Sequence, residues 1–257
     1  DLPSTWERRK KKKTRDLPDE VIPEIYPDYY LQNFHHQTDG YLSDHSASLY
    51  DLQVEILFNG TADSMRRRIL KPLKNGLKEF AGRNPASLKI LDIATGTGRS
   101  LKQIKGSMPE IELLGLDLSG SYLRKASKYL NARNQSLTQL IRANAEKTPL
   151  ANESVQGISC VFLFHELPRA ARDNVLKECW RILEPGGTLV IADSIQISDS
   201  PDFSILMENF HKFFHEPYYY DYINDDIENR ITVAGFKNIS AHSYFMTRVW
   251  TAQKIKT

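Results

Sequence analysis

The chain has 257 residues, 40% hydrophobic and 26% charged, the balance of a globular protein rather than of a disordered or fibrous one. That length suits one large α/β domain with an appendage, or two small domains. A net charge of +2 argues against a surface built as a whole for nucleic acid, and no apolar run nears the roughly 18 residues of a membrane span.

Taken in order, residues 1–20 read as a basic polar tail, with seven Lys and Arg residues in positions 8–15, a block expected to stay solvated or to touch an anionic surface locally. Residues 21–87 read as an N-terminal helical cap that helps to bind substrate. The opening VIPEIYPDYY suits an extended, packed segment because of its prolines. Leu49, Leu52, Ile56 and Leu57 then share one helical face, Asn59-Gly60 stops that helix, and Met65, Ile69, Leu70 and Leu73 belong to the next.

From residue 88 onward strand and helix alternate. LKILDI, IELLGLD, LTQLIRA, VQGISCVFLF and TLVIAD are predicted strands, with EPGG as the turn before the fifth. Helices are predicted from residue 99 to 105, over SGSYLRKASKYLNARN and over ARDNVLKECWRIL. SILMENFHKFFHE is predicted helical up to Glu216, inside a lid insertion at about 197–230. AGFKNISAHSYF and TRVWTAQK form a final antiparallel hairpin. Repeated strand–helix–strand units of this size imply a mostly parallel sheet covered on both faces, with ligands at the carboxyl ends of the strands. Cys160 and Cys179 lie in apolar stretches without metal-ligand spacing, and no signal-peptide pattern is present, so reduced thiols and a cytoplasmic location are expected.

The turn DIATGTGRS follows the first strand. Gly96 and Gly98 let the backbone pass close to a ligand, and the helix that follows favours negative groups at its amino end. Leu101 occupies the third glycine place of a dinucleotide fingerprint, and no Gly-Lys-Ser/Thr of a triphosphate loop follows. Asp117, 25 positions after Asp92, ends the second strand, where an acid is placed to accept both ribose hydroxyls, while Leu118 can cover an adenine face.

DIATGTGRS, GLDLSGSYLRKA, ANAEKTPLANESV and ILEPGGTLVIADS together resemble the S-adenosylmethionine-dependent class I methyltransferases across roughly residues 88–195. The resemblance implies a Rossmann-like α/β fold for 88–257, a seven-stranded mostly parallel sheet with helices on both faces and the last strand antiparallel, beside the N-terminal helical cap. It implies S-adenosylmethionine as cofactor. Asp92, Ala94, Thr95, Gly96 and Gly98 would line its methionine end, Asp117 and Leu118 would hold the ribose and adenine, Asn144 and Ala145 would read the adenine edge, and Phe164 would lie near the methionine part. LYDLQVEILFNGTADSMRRRIL faintly resembles the entry segment of the ubiquinone/menaquinone C-methyltransferases, although the aromatic pair after the glycine is absent.

Methyl transfer needs alignment of the nucleophile and, for a hydroxyl, a base. FLFHELP places His165 directly after the fourth strand and resembles the plant O-methyltransferase pattern in which a His followed by an acid acts as base. His165 is the expected base and Glu166 its orienting partner. Tyr41, His45, His215, Tyr218 and Tyr219 are the candidate acceptor-binding residues, the tyrosines by stacking. His211 and His215 stand at i, i+4, but the His-Glu-x-x-His order is missing, so no metal is expected. The expected function is methyl transfer to oxygen or carbon of a small aromatic or amphipathic molecule. The alternatives are a nucleic-acid-directed methyltransferase using the basic tail, and a non-catalytic cofactor-binding partner subunit. FHELP in place of Asn/Asp-Pro-Pro-Tyr/Phe after the fourth strand argues against methylation of base amines, and no stable nucleic-acid partner is expected.

Overall fold

The computed structural model describes residues 2–131 and 138–256. Among the described residues four α-helices precede the sheet: α1 (Leu2–Lys11), α2 (Asp44–Leu57), α3 (Ala62–Arg66) and α4 (Leu70–Gly76). The alternating half then delivers β1 (Lys89–Ile93), α5 (Arg99–Ser107), β2 (Glu112–Asp117), α6 (Gly120–Asn131) and β3 (Gln139–Arg142). It continues with β4 (Val155–Val161), α7 (Arg169–Ile182), β5 (Leu183–Ser194), α8 (Ser204–Phe214), α9 (Tyr219–Ile223) and α10 (Ile227–Val233). The hairpin β6 (Lys237–Tyr244) and β7 (Thr247–Gln253) closes the chain. The end of the expected second core helix, 132–134, and Leu137 of the expected third strand lie outside the described residues.

The seven strands are ordered β3-β2-β1-β4-β5-β7-β6, and only β7 runs antiparallel. The order reverses between β1 and β4, which opens a crevice at their carboxyl ends. Every residue of β4 is buried, as expected of a central parallel strand covered on both faces. On one face Val175, Leu176 and Cys179 of α7 pack with Trp250. On the other, Ile69 and Leu73 meet Leu101 and Ile104 of α5. Cys160 and Cys179 are free and buried, and burial pushes the Cys160 thiol well above its ordinary range, which makes it inert.

Leu101 does not obstruct the helix–strand contact. The small residue that this contact needs has moved to the strand: a Cβ on Gly115 of β2 would lie 2.6 Å from Leu101 Cδ1 and 2.8 Å from Leu140 Cδ2. Gly115→Ala is therefore expected to destabilise the fold by ~1–3 kcal/mol through overpacking. Urea unfolding reads this directly, and an unchanged midpoint with an unchanged slope would refute the packing account.

The sequence reading departs from the structure in the amino-terminal third. Residues 1–20 are not a free tail, because α1 is held by Arg8, whose Nε donates to the His36 carbonyl at 3.0 Å and Nη2 to the Thr38 hydroxyl at 2.5 Å. VIPEIYPDYY contains two single 3-10 turns, Pro23–Ile25 and Asp28–Tyr30, rather than one extended run. The Leu52–Ile56–Leu57 face of α2 is exposed, Ile56 by 72%. Ser46 and Ala47 are buried instead, since small side chains let α2 approach α6, where the Ser46 and Tyr122 hydroxyls meet at 3.0 Å. EPGG belongs to β5 rather than to a separate turn: Leu183 already pairs with Val155, and the register shifts before Gly157 meets Thr188. The helix expected to reach Glu216 ends at Phe214, where His215 turns left-handed at φ 44°.

Candidate functional site

The glycine turn leaves β1 in a strained path. Ala94 has φ +54° and Gly96 φ +55°, a region that costs an ordinary L-residue ~1–2 kcal/mol. Asp92 holds this turn from beneath. Its fully buried carboxylate accepts from the Thr95 hydroxyl at 2.8 Å and the Ser159 hydroxyl at 2.5 Å, and burial pushes its pKa up to about 6. Gly98, at φ +83°, serves packing, since a Cβ there would lie 3.2 Å from Ala126 Cβ.

Asp117 ends β2 beside the turn, where the switch point opens. One carboxylate oxygen accepts from Gly96 N and the other from Ser119 N, both at 2.8 Å. Burial pushes its pKa up to about 6, against the pull of those same backbone donors. Each oxygen retains a lone pair for a further donor. Asp117 shares a cleft with Ala94, Gly96, Leu118, Asn144 and Ala145, and the space a Cβ on Gly96 would take is open. Asn144 Oδ1 accepts from Glu146 N at 2.9 Å. Glu146 in turn accepts from the Tyr29 hydroxyl of the cap at 2.8 Å.

Tyr30, Tyr41, Tyr50 and Tyr122 line the same cleft. Tyr122 takes Tyr41 and Tyr50 edge-on, with centroids 5.5 and 5.3 Å away. Ser119, directly after the acidic strand end, donates to the Tyr41 carbonyl at 2.6 Å. The cap is thus fastened to the loop that carries Asp117.

A buried charged network closes the far wall. Glu166 follows β4 on the 3-10 turn Phe164–Glu166, lines the cleft, and accepts from the Tyr41 hydroxyl at 2.5 Å. His35 Nε2 stands 2.9 Å from that hydroxyl, and His35 Nδ1 3.3 Å from Glu216 Oε1. His165 does not line the cleft. Its Nδ1 donates to Asp193 Oδ1 at 2.5 Å, and its Nε2 lies 3.8 Å from Glu216 and 3.9 Å from Glu166. Burial alone would lower the His165 pKa, but Asp193, Glu216 and Glu166 outweigh it and raise the value to about 10. His35 is raised in the same way, by Glu166 and Glu216 against burial. The His165 ring is an imidazolium cation at neutral pH. In this arrangement His165 holds its proton, contrary to the expectation of a free base.

The other expected site residues fall into two groups. Ala94, Gly96, Asp117, Leu118, Asn144, Ala145, Glu166 and Tyr41 come together on the cleft, while Asp92, Thr95, Gly98 and Phe164 support it from the interior or through packing. His45 is exposed in the first turn of α2. His215 lies against His36, centroids 5.4 Å apart, and burial pushes its pKa down to about 4. Tyr218 accepts from Gln32 at 3.2 Å, and Tyr219 is buried against His165 and Phe210. The lid tyrosines therefore cement the lid to the cap and core, and the aromatic wall comes from the cap and α6. Asp193 and Glu216 were missed. Asp193 carried the signal used for Asp117, an acid at the carboxyl end of a strand. Among the described residues no cluster of three or more His, Cys, Asp or Glu side chains could hold a metal ion.

This sheet order, with its acid-terminated β2 and glycine turn at the switch point, defines the class I methyltransferase fold. Residues 90–187 match the family model described as a methyltransferase domain, and the fold is the one the class I methyltransferases share. Demethylmenaquinone methyltransferase of Thermotoga maritima is 33% identical over 152 residues, 59% of each chain. Ubiquinone/menaquinone biosynthesis C-methyltransferase UbiE of Syntrophotalea carbinolica is 34% identical over 155 residues, 60% of each chain. The match spans about three fifths of the length of these relatives. In fold, the CurJ carbon methyltransferase superposes with a TM-score of 0.60 at 15% identity, covering 77% of this chain and 56% of that one. An O-methyltransferase family protein from Burkholderia thailandensis gives 0.59 at 16% identity, covering 84% and 64%.

S-adenosylmethionine is the cofactor of this class, and the cleft fits it: an acid with spare lone pairs stands beside open space over a glycine. Asp117→Ala is expected to weaken S-adenosylmethionine binding by roughly two orders of magnitude, the loss of two charge-assisted hydrogen bonds of ~1.5 kcal/mol or more each. Isothermal titration measures it. Wild-type affinity in a folded variant would remove Asp117 from the cofactor site.

Proposed function

We propose that the chain is an S-adenosylmethionine-dependent methyltransferase that methylates oxygen or carbon of a small hydroxylated aromatic acceptor, with Glu166 as the base. The observation that carries this reading is the position of Glu166, the member of the buried charged network that lines the cleft. When bound, the cofactor supplies a methyl group on a sulfonium leaving group. The protein's part is to align the acceptor, keep water out and take its proton.

The tyrosine wall gives an aromatic ring a place to lie. Glu166 accepts the ring hydroxyl's proton, taking it as an acceptor displaces the Tyr41 hydroxyl. The His165 imidazolium stands 3.8 Å from Glu216 and 3.9 Å from Glu166 behind the cleft. Loss of a phenolic proton serves either outcome, since it frees the oxygen as nucleophile and enriches the neighbouring ring carbons. The relatives named for menaquinone and ubiquinone methylation support a hydroxylated ring as the acceptor class.

The test uses methyl-labelled S-adenosylmethionine with a panel of naphthoquinols, catechols, malonyl thioesters and RNA. Label is expected on the hydroxylated rings. Label on RNA alone would overturn the reading, and so would tight cofactor binding without transfer to any member of the panel.

A further inference from the structure

The basic run of the amino terminus is not used by this site, and the structure gives it a fixed place. Arg8 anchors α1 to the turn at His36–Thr38. Arg9, Lys10, Lys11, Lys12 and Lys13 are left exposed, with Glu7 beside them, paired with Lys11, and Asp16 3.9 Å from Arg8. Leu2, Trp6 and Arg9 follow one another at i, i+4 and i+7 and so share a stripe. Both Leu2 and Trp6 are 64% exposed.

The same stripe meets the lid. The Arg9 guanidinium lies over the Phe213 ring of α8, 5.4 Å from its centroid. Phe213 and Leu206 stand at i, i+7 on α8 and are more than half exposed, and Ile205 beside them is 75% exposed. An apolar patch formed by two helices is therefore rimmed by a block of cations, at the outer side of the lid that carries Glu216.

We infer that α1 and α8 together form a docking surface for a bilayer containing anionic lipid. Charge complementarity selects the occupant. The cations attract an anionic headgroup layer, the aliphatic side chains and Phe213 can enter the acyl boundary, and a tryptophan with one apolar and one polar edge suits the interface between them. Nucleic acid would pair with the cations but would leave Leu2, Ile205 and Leu206 without a partner, so lipid fits the whole patch.

The experiment is sedimentation of the full chain with phosphatidylcholine vesicles, with and without a quarter of phosphatidylglycerol, followed also by tryptophan emission. Binding is expected to the anionic vesicles alone, with a blue shift that Trp6→Phe abolishes. A triple reversal, Lys10→Glu with Lys12→Glu and Lys13→Glu, should weaken partitioning at least ~10-fold, since each cation near an anionic surface is worth about a fivefold factor. Trp6→Ser with Phe213→Ser should weaken it by at least ~10-fold as well, by removing two large apolar side chains. S-adenosylmethionine titration of each variant should match wild type, which shows that the fold is retained. Three results would overturn the inference: no sedimentation with anionic vesicles, binding that survives the apolar substitutions without an emission shift, or RNA that binds more tightly than the vesicles through the same lysines.

Discussion

Glu166→Gln is expected to lower kcat by ~10²–10⁴-fold, the usual worth of a positioned base, while S-adenosylmethionine affinity stays within about threefold of wild type. The amide keeps the shape of the carboxylate and can still accept from the Tyr41 hydroxyl, now at 2.5 Å, so the aromatic wall should survive. What it loses is the capacity to take a proton. Single-turnover methyl transfer against a hydroxylated aromatic acceptor measures the effect, with calorimetry for the cofactor. Retained turnover in the variant would exclude Glu166 as base. Turnover abolished by His165→Gln but not by Glu166→Gln would return the role to His165.

The second large effect concerns the fold. Asp193 is fully buried. It receives Phe164 N and Ser194 N, both at 2.7 Å, as well as the His165 ring. Asp193→Ala leaves a buried imidazolium without its nearest counter-charge and two backbone donors without their carboxylate, at an expected cost of ~3–5 kcal/mol. Urea unfolding near neutral pH measures it, and a loss below ~1 kcal/mol would refute the account. The pH dependence gives a second handle. The His165 pKa is raised in the fold from 6.5 to about 10. A raised pKa means that the folded state binds the extra proton, so this stabilisation is complete below about 6.5 and is lost as pH rises through about 10. Asp193→Asn should flatten the decline across that window relative to wild type. A parallel decline in both proteins would show that the pair does not drive it.

The alternating half of the chain was legible because its strands and helices each bury a regular face. Asp92, Gly96 and Asp117 could be placed from strand ends and turn chemistry, both local properties. The cap was much less legible. Its segments are single 3-10 turns too short to show a period, and α2 docks through Ser46 and Ala47 rather than its apolar stripe, because close approach to α6 requires small side chains. Gly98 and Leu101 show a similar limit: what a glycine makes room for depends on which side chain lies opposite, and that neighbour comes from another element.

Hydrophobic period and turn residues act over a few neighbours, and they were enough to place the sheet, the switch point and the acid at the end of β2. Tertiary structure alone decided which carboxylate faces the cleft. His165 and Glu166 are adjacent on one tight turn, but their hydrogen bonds lead to different elements. His165 turns inward to Asp193, while Glu166 turns out to Tyr41, a residue 125 positions earlier. Proton affinity at that wall is set by charges brought together from the cap, two strand ends and the lid. Coulomb interaction depends on distance in space, which spacing along the chain does not encode.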